Sequence, residues 1–280
     1  MYTRPWASVQ TKKILIDQPH NTIELMKRLF RHILNTIPRP WLISISIYLR
    51  PLLDLMWRGK RFTDPINGKS YRRFLPYGYG RMRANVLSPG TLSLERHRLC
   101  WLYLKAHTGL FSEPLKVLHF APEQAFYSRF RALENLDYTT TDLNSPLADV
   151  KADITALPFD NDQYDLIICN HVLEHIPDDL KAMREIYRVL KPGGLAILQV
   201  PYEADRETTF QDDTITDPKK RAEIFGQYDH VRVYGMDYFQ RLESVGFRVE
   251  AFDISKEISQ EQTIGYGLAP GELLPLAHKD

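Results

Sequence analysis

The chain predicts an α/β fold, a mostly parallel sheet covered on both faces by helices, and three observations lead there. From Leu115 onward, short runs of β-branched and apolar residues alternate with helical segments, as they do when parallel strands are joined by crossover helices. Polar side chains collect where those runs end, at 119–123, 141–143, 152–154 and 169–171, and open parallel sheets bind ligands beyond their carboxyl strand ends. The length of 280 residues at 44% apolar content allows one substantial core and a smaller module.

Each element follows in order. Residues 20–37 repeat Ile23, Met26, Leu29, Phe30, Ile33, Leu34 and Ile37 at helical spacing, and Pro38 and Pro40 end that helix. The apolar segment 41–57 is interrupted by Arg50, Pro51 and Asp54, so it is too short to span a bilayer. A helix buried against the main domain or a partner is the favoured reading. The alternative is peripheral membrane contact or a lid on a lipid-binding cleft, with Trp41, Tyr48 and Trp57 at the interface. Two short turns, Asp64-Pro-Ile-Asn67 and Ser88-Pro-Gly-Thr91, flank a basic and aromatic run over 71–83. A helix over 92–107 carries Arg96, His97 and Arg98. Strands are then expected at 115–120, 137–142, 150–154, 164–170, 195–200, 247–253 and 263–269, with helices at 124–135, 178–190 and 238–245. The long polar stretch 201–235 reads as an active-site loop.

Charge is divided along the chain: residues 1–110 carry 19 basic and 5 acidic side chains, and residues 111–280 carry 17 and 30. The basic part suits an anionic partner, a lipid surface or nucleic acid; equally, the two parts attract each other or are solvated. Cys100 and Cys169 exclude a disulfide framework, which makes a reducing cytoplasm the expected compartment. Arg4, Lys12, Lys13 and Asp17 precede any suitable apolar run, so no signal peptide is expected.

The segment Asn170-His-Val-Leu-Glu-His-Ile-Pro-Asp-Asp179 leads into a helix ending at Lys191-Pro-Gly-Gly194, and Ala156-Leu-Pro-Phe-Asp160 precedes Tyr164-Asp-Leu-Ile167. In this order and spacing, the chain resembles a class I S-adenosylmethionine-dependent methyltransferase of the type 11 kind over 115–270. The resemblance implies a Rossmann-like, seven-stranded, mostly parallel sheet with an antiparallel last strand, and S-adenosylmethionine as cofactor. The stretch with the two turns is similar to a zinc ribbon found before some bacterial methyltransferase domains, with Asp64, Asn67, Ser88 and Thr91 at the ligand positions. Such ligands hold tetrahedral zinc poorly, so no metal is expected there, and no residue of the chain is assigned as a metal ligand. The organisation is then 1–62 amphipathic helices, 63–110 ribbon-like module and connecting helix, and 111–280 methyltransferase domain.

The expected cofactor contacts are His119, Phe120, Ala121, Glu123, Asp142, Leu143, Asp153, Ile154, Asn170 and His171. Asp142, at the end of the second strand, suits the two ribose hydroxyls; as a turn cap it would serve structure alone. Asp153 with Ile154 suits adenine. The first loop departs from the family's Asp-x-Gly-x-Gly: His119 stands where the acid belongs, Ala121 and Glu123 lie near the glycine positions, and Pro122 lacks an N–H. His171, His230 and Arg232 are the candidate catalytic residues, the histidines as bases and Arg232 as a clamp for an anionic acceptor; an internal polar cluster is the competing reading of the last two. The implied reaction is methyl transfer, preferably to oxygen, of a small-molecule, saccharide or lipid-linked acceptor, at the inner face of the membrane or free in the cytoplasm. Alternatives are an RNA methyltransferase, suggested by the 71–83 run, and a cofactor-binding protein without turnover.

Overall fold

The structure, a computed structural model, describes residues 50–78 and 82–280. The expected helix over 20–37, most of the 41–57 segment, Tyr79 and Arg81 lie outside the described residues. Among them, no helix is long and apolar enough to cross a membrane. Residues 50–280 form one compact unit.

The unit begins with residues 50–56 in a helix, followed by two antiparallel pairs. Arg58–Asp64 (β1) pairs with Lys69–Tyr71 (β2), and Leu75–Tyr77 (β3) with Arg83–Leu87 (β4). The two turns singled out in the sequence are tied by hydrogen bonds: fully buried Asp64 accepts from the Ile66 N–H at 2.9 Å, from the Thr91 hydroxyl and from Ser93 at 3.3 Å. A buried carboxylate needs such donors. The basic and aromatic run is largely used inside the module. Tyr71 is buried and donates to Asp54 at 2.6 Å, Arg72 and Arg73 lie 4.8 and 4.3 Å over Trp57, and Arg83 pairs with Glu95. Tyr71, a stacking ring only under the alternative RNA reading, is therefore part of the core.

The main sheet has seven strands. Leu115–Phe120 (β5), Leu136–Asp142 (β6), Val150–Lys151 (β7), Tyr164–Cys169 (β8) and Leu190–Ile197 (β9) are parallel, in spatial order β7-β6-β5-β8-β9. Two further short strands, Phe210–Gln211 (β10) and Arg232–Val233 (β11), pair outside this sheet. Arg248–Phe252 (β12) and Leu274–His278 (β13) complete the sheet, with β13 antiparallel to both β9 and β12. Alternation along β8 explains the two-faced burial: Leu166 and Ile168 enter one apolar cluster, Ile167 and Cys169 the other. Helices Glu95–His107 (α1) and Gln124–Arg131 (α2) cover the first face through Leu99, Trp101, Leu104, Phe126 and Phe130. Helix Asp179–Val189 (α3) covers the second through Ala182, Met183, Ile186 and Val189, and its start is capped by Asp178 accepting from the Lys181 N–H.

Two expectations are corrected. Residues 263–269 are not the last strand: Pro218–Ile224 (α4) and Tyr238–Glu243 (α5) are followed by a helix at Gln260–Gly265 (α6), and the last strand is β13. The cause is a reciprocal cap, in which the Ser259 hydroxyl accepts from the Gln262 N–H at 3.2 Å and the Gln262 side chain accepts from the Ser259 N–H at 2.9 Å. Nor is 201–235 wholly a loop. It contains the β10–β11 pair and α4, and Tyr234 is fully buried with its hydroxyl donating to Asp179 at 2.8 Å.

Candidate functional site

The carboxyl ends of β5, β6, β7 and β8 bring most of the expected cofactor residues to one edge of the sheet. Two exits hold non-glycine residues in the left-handed region, Ala121 at φ 45° after β5 and His171 at φ 54° after β8. Residues there are strained unless their surroundings hold them. The Ala121 N–H donates to the Thr141 carbonyl at 2.9 Å and the His171 N–H to the Gln199 carbonyl at 2.8 Å, which fixes both turns to the neighbouring strand exits.

At the first exit His119 is corrected from a direct cofactor contact to an interior residue. It is completely buried, with Nδ1 2.7 Å from the Tyr138 hydroxyl and Nε2 2.8 Å from Glu123. His97 of α1 approaches the other Glu123 oxygen at 3.3 Å. Its Nδ1 accepts from the Leu94 N–H, so Nε2 carries the proton. Asn170 also donates to Glu123, at 3.2 Å. Burial alone would push the Glu123 carboxyl up, but the hydrogen bond from His119 and the nearby His97 outweigh it and hold the group well below the usual carboxylate range. Phe120 is buried in the core.

At the second strand exit Asp142 is half-buried; its Oδ1 accepts from the N–H groups of Asn144 at 2.7 Å and Ser145 at 2.6 Å. No hydrogen bond among the described residues reaches its Oδ2. Asp153 likewise caps its own turn, accepting from Thr155 through N–H and hydroxyl, which lowers its carboxyl. Ile154 and Leu157 are buried beside it, and Leu143 is exposed. Asn170 keeps a buried Oδ1 without a partner.

A cavity of about 340 Å³ opens beyond β8 and β9, lined by His171, Gln199, Tyr202, Arg83, Arg96 and Glu272 among others. Gln199 is almost fully buried, yet neither side-chain atom has a partner, and Arg96 has a buried Nε in the same condition. Buried polar atoms are normally satisfied, so this wall offers donors and acceptors to a ligand. Burial first, then the charge of Glu95, pushes the Glu272 carboxyl up to about 7 against the opposing pull of Arg96, Arg83 and Arg98. Gln199, Arg96 and Glu272 escape sequence reasoning because they come from β9's exit, α1 and the segment before β13. A polar Gln closing an apolar strand is the one signal that could have marked them.

His171 thus lies on the cavity wall, whereas His230 and Arg232 do not. His230 lines a neighbouring cavity of about 390 Å³ that shares Pro201 and Tyr202 with the first. Arg232 borders the same neighbouring cavity but is corrected from acceptor clamp to structural tie, because its solvent-sealed side chain donates to the carbonyls of Leu173 (2.7 Å), Ile176 (2.6 Å) and Pro177 (2.7 Å) and to Gln211.

Compared with known proteins, residues 115–198 match the family model described as methyltransferase domain. A demethylmenaquinone methyltransferase of Staphylococcus epidermidis is 42% identical over 48 residues, 17% of this chain and 20% of that protein. An uncharacterized protein of Methanocaldococcus jannaschii is 32% identical over 117 residues, 41% of this chain and 48% of that one. The chain therefore spans less than half the length of these curated relatives. A putative methyltransferase from Bacillus halodurans aligns in structure with 18% identity, covering 64% of this chain and 94% of that one at a TM-score of 0.40. With its seven-stranded sheet and antiparallel β13, the part of the chain that holds these strand exits has a Rossmann-like, mostly parallel architecture, and residues 115–198 within it match the methyltransferase domain family.

Proposed function

We propose that the chain transfers a methyl group from S-adenosylmethionine to an oxygen of a small molecule, saccharide or lipid-linked acceptor that enters the 340 Å³ cavity. The observation that carries this reading is the set of unpartnered polar atoms of Gln199, Arg96 and Asn170 around that cavity and the adjoining strand exits. The residues present fit the cofactor. The open Oδ2 of Asp142 would take the ribose hydroxyls, Ile154 and Leu157 would pack on adenine near Asp153, and the left-handed turn at Ala121 with Glu123 and Asn170 would border the methionyl end.

When bound, the sulfonium supplies an activated methyl with a good leaving group. The chain's own part is to hold the acceptor in line and keep water out. His171 and Glu272 are placed to take the acceptor's proton: His171 has Nδ1 held by Glu174 at 3.1 Å, and Glu272 titrates close to neutrality. Arg83 and Arg96 give the cavity positive charge suited to an anionic or lipid-linked acceptor, and the quinone named for the staphylococcal relative is an acceptor of the second kind. Peripheral membrane contact through 41–57 belongs to the same proposal. A cavity of this size with Tyr71 buried supports a small acceptor over RNA.

The test is incubation with methyl-labelled cofactor and fractionated metabolites, membrane lipids and RNA. Label in a small-molecule or lipid fraction, reduced at least tenfold by Asp142→Ala, is expected. Label found in RNA alone would overturn the acceptor class. Cofactor binding by calorimetry with no methylation in any fraction would leave a binding protein.

A further inference from the structure

A second group of side chains meets beside the acceptor cavity, where the turn Leu173–His175 packs against the segment entering β11. Glu174, His175 and His230 each offer one ligand atom, and these atoms lie within 4.8 Å of one another. The rings of His175 and His230 are 4.7 Å apart and almost perpendicular.

The hydrogen bonds fix which nitrogen is free. His230 Nδ1 lies 3.0 Å from the Phe225 carbonyl, and His175 Nδ1 lies 3.3 Å from the Asp229 carbonyl and 3.5 Å from its carboxylate. Carbonyls and carboxylates only accept, so both Nδ1 atoms carry the proton and both Nε2 atoms keep a lone pair. This is the arrangement that second-shell partners impose on ligating histidines. Glu174 is 1% exposed; one oxygen accepts from His171, and the other is buried with no partner.

Arg232, which packs on this turn, makes no hydrogen bond to Glu174. Its donors are spent on the carbonyls of Leu173, Ile176 and Pro177 and on Gln211. It fixes the turn instead, and the Val231 N–H donating to the Glu174 carbonyl at 3.0 Å joins the turn to the strand that follows His230. Two imidazoles and one buried carboxylate oxygen that no donor among the described residues satisfies are the ligand types a zinc-like ion takes.

We propose that Glu174, His175 and His230 bind one divalent first-row transition-metal ion of the zinc or cobalt class. Ligands around such an ion at about 2.1 Å stand about 3 to 3.5 Å apart, so modest side-chain adjustment closes the site. With three protein ligands the ion keeps open positions, and His230 lines the 390 Å³ cavity that shares Pro201 and Tyr202 with the acceptor cavity. The ion's role, which rests on the methyl-transfer reading, is to hold an acceptor oxygen and make its hydroxyl more acidic.

The experiment is a Co²⁺ titration of the chelator-stripped full chain, read by visible absorption and by dialysis. One ion per chain is expected, with affinity reduced at least tenfold in His230→Ala and in the near-isosteric Glu174→Gln, and unchanged in His107→Ala, whose imidazole pairs with Glu257 elsewhere on the surface. Circular dichroism of each variant separates loss of ligand from loss of fold. Absence of saturable one-to-one binding, or equal binding by folded Glu174→Gln and His230→Ala, overturns the proposal. Parallel titration with S-adenosylhomocysteine keeps the two readings apart. Cobalt binding without nucleoside binding sinks methyl transfer alone, and the converse sinks the metal site alone.

Discussion

At the exit of β5 a carboxylate and two histidines lie in contact, and beyond the exit of β8 a glutamate and two histidines meet again. Around Glu123 the carboxylate itself is matched: His119 and Asn170 hydrogen-bond to it, His97 Nε2 stands 3.3 Å from its other oxygen without completing a hydrogen bond, and His119 has no exposed surface. Around Glu174, His171 meets one carboxylate oxygen, while His175 and His230 turn their protons to backbone oxygens and leave the other oxygen unmatched. The difference lies in what the Nδ1 atoms find nearby. A hydroxyl at His119 and an N–H at His97 leave Nε2 on the carboxylate side; at His175 and His230 carbonyls take the Nδ1 protons, which leaves the lone pair on Nε2. Identical residue types thus make a structural lock in one place and a ligand site in the other.

The sharpest way to break this contrast is Glu123→Ala, which strands two buried imidazoles; a loss of about 3–5 kcal/mol is expected from the urea midpoint. The sign of the pH effect follows from the depressed carboxyl. Stability from Glu123 is present above its ordinary value of 4.5 and is lost as pH falls toward its lower folded value, so wild type should weaken in acid more steeply than the variant.

Arg232→Met comes next, at about 3 kcal/mol, because three carbonyls lose charged donors at once. Thermal and urea unfolding should report it, together with weaker Co²⁺ binding as the turn loosens.

Glu272 is an intermediate case, half-buried beside Glu95 and three arginines without a locking partner. Its folded value of about 7 exceeds the ordinary 4.5, so its contribution to stability is full below 4.5 and declines as pH rises to about 7. Glu272→Gln should remove that slope, a change on the order of 1 kcal/mol after allowance for solvent at the cavity mouth.

The smallest effect on stability belongs to Glu174→Gln, within about 1 kcal/mol, although the same variant should lose its metal. If its urea midpoint falls as far as that of Glu123→Ala, the contrast between lock and ligand site collapses.

The main sheet was legible because its signals are local. Leu115–Phe120 and Tyr164–Cys169 are short apolar runs visible as sequence, whereas Lys191-Pro-Gly-Gly194, expected as the break before a strand at 195–200, lies inside β9, which starts at Leu190 and ends at Ile197. Residues 263–269 misled because the β-branched Thr263 and Ile264 read as strand, while the deciding interaction is one cap between Ser259 and Gln262. His171 could be placed from a strand end, but Arg232 could not. A charged residue in a polar stretch looks free until the carbonyls of a distant turn arrive around it. The cavity wall was hidden for the same reason, since Arg96, Gln199 and Glu272 converge only after the sheet has closed. Phe120, at a strand end, was assigned outward on position alone, and alternation along β5 puts it into the core.

One buried cation carries a consequence for dissecting this molecule. The guanidinium of Arg98 donates to the carbonyls of Val86 and Ser93 on one side and to those of Tyr266 and Gly267 on the other, riveting an early hairpin to a late segment of the polypeptide. Cutting the chain near residue 110 to isolate a minimal catalytic piece would strand those late carbonyls and remove Arg83 and Arg96 from the cavity wall. Exchange of the front module between relatives, rather than its deletion, is therefore the manipulation that would test the proposed choice of acceptor.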